Sequence, residues 1–172
     1  MKKYYFYFVL ICSSLFAQFD WDDNGLFVRQ GYHVEWFRGG DISSDGNMIV
    51  VWSDTRESTR KVYAQSVDNI GNINWGVDGV LISSDEGRHE DPIIISDNFG
   101  GGYISWRTYT DSNPTQGELN VQRIDLDGNL LWDEPIQISA DIPIRVNSQQ
   151  NMCSDRNGGA YVTWYAEGLP AG

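Results

Sequence analysis

The sequence predicts an all-β fold assembled from repeated four-stranded units, and three observations carry that prediction. No window of the 172 residues sustains an apolar stripe at helical spacing. Six of the seven tryptophans occupy two recurring positions: Trp52, Trp106 and Trp164 lie 54 and 58 residues apart, and Trp21, Trp75 and Trp132 lie 54 and 57 apart. Clusters of Gly, Asn and Asp punctuate the chain at matching places, as compact hairpins require.

The elements follow in order. Met1-Lys2-Lys3, an apolar run from Tyr4 to Leu15 and then Phe16-Ala17-Gln18 predict a secretory signal peptide over 1–17, with export to the extracellular space or cell surface. The run is too short for a permanent membrane span. Residues 18–172 form the folded part. Trp21 to Val28 matches the segment that starts at Trp75, and so predicts an orphan outer strand at 21–28. A first full unit spans 37–82, with Ser44-Asp45-Gly46-Asn47 turning into Met48–Trp52, then Val62–Asp68, a turn at Gly71-Asn72 and Ile73-Asn74-Trp75. The second spans 91–138: Pro92–Ser96, a turn at Asp97–Gly101, Gly102–Trp106, a longer polar loop with Pro114 and Gly117, Leu119–Ile124, a tight turn at Asp127-Gly128-Asn129, and a fourth strand running from Leu130 loosely to Ile138. A half unit at 145–172 repeats the second-strand signature as Ser154 to Trp164.

Four-stranded units of this period predict β-propeller-like blades, with one set of large rigid tryptophans per blade to pack sheet on sheet. A β-solenoid or a sandwich is the alternative. One orphan strand, two units and a half make an incomplete ring. The expectation is therefore a fragment whose parent chain supplies the remaining blades, with ring assembly from several chains as the alternative. The runs Asp97 to Trp106 and Asp155 to Trp164, with the Gln65-x-Val67-Asp68 and Gln122-x-Ile124-Asp125 strands and the Gly-Asn-x-x-Trp turns, resemble repeats in large exported proteins of Bacteroidetes-like bacteria. The resemblance implies a propeller ectodomain, often followed by fibronectin-like modules and a C-terminal sorting domain. It implies no catalytic residues. The chain departs from the pattern in its first unit, where Asp45-Gly46-Asn47 reads as a shorter turn, and in showing no sorting domain.

Twelve Lys+Arg face 24 Asp+Glu, a net charge of −12 that argues against a nucleic-acid surface. Loss of the leader would leave Cys153 as the one cysteine, expected to be buried and inert. His33-Val34-Glu35 and His89-Glu90-Asp91 recur 56 residues apart in the connections between units, where propellers gather their ligand-binding loops. His33, Glu35, His89, Glu90 and Asp91 are the candidate ligand-binding residues, set against a purely loop-stabilising role. Asp125-Leu126-Asp127-Gly128-Asn129 alternates oxygen donors like the start of a calcium loop. Ile136 stands where the twelfth-position Glu belongs, and Asp68-Asn69-Ile70-Gly71-Asn72 does not alternate, so a plain turn and no cofactor are expected. A sialidase-type Asp-box is incomplete at Gly128–Trp132, and Arg38, Arg107 and Arg145, occupying different places in their units, are not expected to converge. The reading is a non-catalytic binding module for a glycan or protein. The alternatives are a fragment of a propeller glycoside hydrolase or lyase, and a structural spacer in a large adhesin-like protein.

Overall fold

The computed structural model describes residues 26, 28–29, 35–83, 86–110, 113–139, 144–145 and 149–165. The signal segment 1–17, Trp21 and His33 lie outside these, and of the orphan strand only residues 26 and 28 are described. Over the described residues the fold is all-β, with three antiparallel sheets, none closed into a ring. The first sheet orders β1 (Glu35–Ile42), β2 (Met48–Glu57), β3 (Thr59–Val67) and β4 (Val80–Leu81). The second orders β5 (Arg88–Ser96), β6 (Gly102–Thr110), β7 (Asn113–Ile124) and β8 (Ile136–Gln137), while β9 (Ile144–Arg145) pairs with the start of β7. The third consists of β10 (Gln150–Ser154) and β11 (Ala160–Trp164).

Period-two alternation sends the two faces of β2 and β3 into different cores. Ile49, Val51, Val62 and Ala64 join Trp75 and Ile82 in packing against Ile104, Trp106 and Ile124 of the second sheet. Val50, Trp52 and Tyr63 turn the other way and meet Val28 and Leu81. The sheets therefore stack face to face. Hydrogen bonds cross between neighbouring sheets at separations of 51 to 59 residues: Trp75 Nε1 to Leu126 O, Ser96 N to Asp41 Oδ2, Tyr103 Oη to Gly158 O, Asn98 Nδ2 to Ser154 Oγ and Gln150 Nε2 to Asp91 O. These spacings match the repeat period read from the tryptophans.

Three sequence expectations need correction. The β1–β2 turn is not shorter than its counterparts. Residues 43–47, 97–101 and 155–159 each make a five-residue connection closed by an N–H to carbonyl bond, from Ser43 to Asn47, Asp97 to Gly101 and Asp155 to Gly159. Ser43 occupies the place of Asp97 and Asp155, with its hydroxyl donating to Asn47 O at 2.9 Å. The polar loop around Pro114 and Gly117 is instead the first part of β7. The β6–β7 ladder outruns its apolar residues because Arg107 and Thr108 are buried. The fourth strands shrink to two residues each, and Leu130 makes a single bridge to Ile124. Side-chain bonds replace the ladder there: Gln65 Oε1 accepts from Trp75 N at 2.9 Å, and Gln122 Nε2 donates to Trp132 O at 3.0 Å.

Candidate functional site

A bulge interrupts β1 between Phe37 and Gly39, and another interrupts β5 between Glu90 and Ile93. The extra residues are Arg38 in the first and Asp91-Pro92 in the second, with Asp91 held at φ 52°. Proline fits a bulge because no ladder donor is needed there, and a bulge re-aims the side chain it inserts. The two bulges face one another across the first and second sheets, and Arg38 forms an ion pair with Asp91.

Around this contact the sheets converge cations from four strands. Asp91 also pairs with Arg107 on β6. Glu90 pairs with Arg60 on β3 and, at 3.1 Å, with its own strand's Arg88. Each carboxylate is thus shared by two guanidiniums. Burial pushes Arg107 and Arg60 below the usual arginine range; neighbouring Arg38 pushes both further, joined at Arg60 by Arg88, while Glu90 opposes the shift at both. The direction reports burial above all, with crowding of positive charge adding to it, and a guanidinium stays protonated in any case. Tyr109 is buried among these groups, with Arg88 5.3 Å and Arg107 5.8 Å from its ring centroid. Burial raises its phenol above the ordinary value, with Glu90 adding and the two arginines opposing. A raised phenol suits a hydrogen-bond donor rather than a nucleophile.

Behind the arginines lies a layer of buried polar groups. His89 is fully buried, with Lys61 Nζ 3.3 Å from Nε2, Thr108 Oγ1 3.4 Å from Nδ1 and Trp106 packed 6.3 Å away. Asn120 Nδ2 donates to the same Thr108 hydroxyl at 2.9 Å. A lysine donating at Nε2 calls for a neutral ring whose Nδ1–H points to Thr108.

The predicted residues therefore divide. His89 sits in the packing between sheets, Glu90 and Asp91 sit in the arginine cluster, Glu35 is placed by backbone only, opposite Asp54 in the β1–β2 register, and His33 lies outside the described residues. Arg38 and Arg107 converge on one carboxylate after all, because a β1 residue of one sheet abuts β5 and β6 of the next; unit-by-unit comparison hides such a meeting. Sequence reasoning passed over Arg60, Lys61 and Arg88, and read Arg107-Thr108-Tyr109 as an exit loop that an ordinary solvated role explains as well as the edge of a carbohydrate or peptide surface. Their signal was present: Arg38, Arg60, Lys61, Arg88 and Arg107 are five of the chain's twelve basic residues.

The remaining candidates resolve into local structure. Asp125 accepts from the N–H groups of Asp127 and Asn129 through Oδ1 and from Asn129 Nδ2 through Oδ2, and Asp68 accepts from Ile70 and Asn72 in the same pattern. Cys153 is exposed, contrary to expectation, because β10 alternates and its Asn151 and Cys153 share the face turned away from the second sheet. Trp52 and Trp106 are buried, and Trp132 and Trp164 are partly buried. Among the described residues no group of three or more His, Cys, Asp and Glu is placed to hold a metal, and no helix is long and apolar enough to cross a membrane. Comparison of the chain with protein-family models, with curated proteins and with solved structures returns no match.

Proposed function

We propose that this chain is a non-catalytic binding module of propeller-type blades, exported through its N-terminal signal segment, that holds a glycan or protein ligand at the extracellular or cell surface. One observation carries the reading. In a strongly acidic chain, four arginines from β1, β3, β5 and β6 gather around two carboxylates at the end of the sheets opposite the five-residue turns. A spacer needs no such concentration of charge. An enzyme of the glycosidase type needs two carboxylates facing across a substrate, whereas Glu90 and Asp91 each face a pair of arginines.

The blade architecture is supported by face-to-face stacking, by the recurrence of the five-residue turns and by the inter-sheet bonds at one repeat's spacing. Screening the full chain against a glycan array and an extracellular protein panel tests the function. Retention of a defined ligand class, weakened by Arg38→Ala and Arg88→Ala, is expected. No retention on either surface would leave the spacer reading in its place.

A further inference from the structure

We infer that the outward face of the third sheet is a docking surface for a further sheet of this same repeat, seated on Cys153, Tyr161 and Thr163. This rests on the blade reading and extends it to a partner.

The five-residue turns fix which residues correspond. Counted from them, Ile49, Tyr103 and Tyr161 share one position, Val51, Ser105 and Thr163 a second, and Asp41, Ile95 and Cys153 a third. In the first sheet this face is closed by the second sheet. Ile49 and Val51 are 1% and 0% exposed and pack with Ile104 and Trp106. In the second sheet it is closed by the third: Ile95 and Ser105 are buried, and Tyr103 Oη donates to Gly158 O in the next turn at 2.7 Å. In the third sheet Tyr161 is 64% exposed, with Asn151, Cys153 and Thr163 exposed beside it. A face covered twice by the sheet that follows is open at its third occurrence.

The chemistry of the face selects its occupant. Strands β10 and β11 contain no Asp, Glu, Lys or Arg, although the chain carries −12 overall. Charge pairing recruits nothing there, whereas sheet-on-sheet packing asks for an uncharged pleated surface. Tyr161 repeats Tyr103, so an incoming turn with a backbone carbonyl in the place of Gly158 O receives its hydroxyl. A second copy of the chain does not supply the matching face. Val50, Trp52 and Tyr63, the first-sheet residues that would have to dock, are already buried, with Val28 packed on them.

The exposed Cys153 thiol reports whether the face is occupied. The probe is a cyclic peptide of residues 150–164 with Cys153→Ser, closed by an Asn-Gly turn and shown to be strand by circular dichroism. One face of it, with Gln150 and Ser154, is the face that the third sheet lays on the second. Titrated into the full chain, the peptide should slow maleimide alkylation of Cys153, by roughly tenfold at about ten times its Kd. The protection should be the same at about 50 and 200 mM salt, since screening does not touch an uncharged contact. Tyr161→Asp and Thr163→Asp should each abolish it without shifting the melting temperature, because both side chains are exposed. Val77→Asp, at an exposed position of the first unit, should leave it unchanged. No protection by the folded peptide, equal protection by a scrambled one, or protection that survives both aspartates would overturn the inference. Self-association of the full chain that shields Cys153 without peptide would give the face to a second copy and overturn it likewise. In each case, contacts of the Trp75 indole with Leu126 and Gly128 would leave the blade reading standing, and their absence would overturn that reading itself.

Discussion

Asp54 shows how a single residue of the first sheet is held. It is fully buried, accepts from Trp52 Nε1 at 3.0 Å and is chelated by Arg56, whose guanidinium lies 3.6 Å from the Tyr63 ring centroid. Burial alone would raise its carboxyl, but the bonds from Arg56 and Trp52 outweigh burial and hold it below its ordinary value of 3.8. The folded protein therefore takes up this proton less readily than the unfolded chain. The stability Asp54 contributes is complete above the ordinary carboxylate range and is lost as pH falls through the depressed value. Asp54→Ala should cost about 3 kcal/mol at neutral pH, and urea melts at falling pH should show the variant losing less stability than wild type. The turn aspartates act more weakly. Asp68→Ala and Asp125→Ala should each cost about 1 kcal/mol and by similar amounts, because the same N–H groups are left without an acceptor. A loss confined to Asp125, reversed by calcium in a thermal melt, would show a metal loop there instead.

At the scale of the element, each of the first two sheets is stapled by a buried serine just after its fourth strand, which accepts from an amide of the third. Val62 N–H donates to Ser83 Oγ at 2.9 Å and Leu119 N–H to Ser139 Oγ at 2.7 Å. Ser83→Ala and Ser139→Ala should each cost about 2 kcal/mol, the penalty of a buried amide left unpaired; chemical denaturation that shows no change would mean these amides find other acceptors. These serines were legible only after the fact, since a lone Ser near a strand end has no periodicity to mark it. What the sequence does expose is alternation and turn chemistry, and so Met48–Trp52, Gly102–Trp106 and Ala160–Trp164 fall inside observed strands. What it hides is every place where polarity is buried. Arg107 and Thr108 read as a loop beginning, yet they are covered by the neighbouring sheet. The Arg38 and Asp91 bulges have no composition signal beyond Pro92, and so half of the candidate site was missed. Glu90 and Asp91 were found because they repeat beside a histidine; three of their arginine partners were not, because Arg38, Arg60 and Arg107 lie on other strands, Arg38 and Arg60 in the other sheet.

Across the whole molecule, one packing scheme recurs. The second-strand tryptophan of a sheet faces the sheet before it: Trp106 enters the core shared with the first sheet, and Trp52 meets Val28 on the far side. The outer tryptophan faces the sheet after it, as Trp75 reaches over the Asp125–Asn129 turn to Leu126 O. Gly128, at φ 86°, lies flat against that indole; a Cβ there would come within 2.9 Å of the ring. Burial decides what each tryptophan contributes. Trp106→Ala should cost about 4 kcal/mol, and Trp164→Ala, in the partly exposed third sheet, less than half as much in the same denaturation series. The central claim is that consecutive units stack face to face at one repeat's offset. The most direct measurement is the set of nuclear Overhauser contacts made by the Trp75 indole Nε1–H in the full chain. Cross-peaks to Leu126 and Gly128 are predicted, and an indole proton that contacts only residues 48–82 would contradict the stacking.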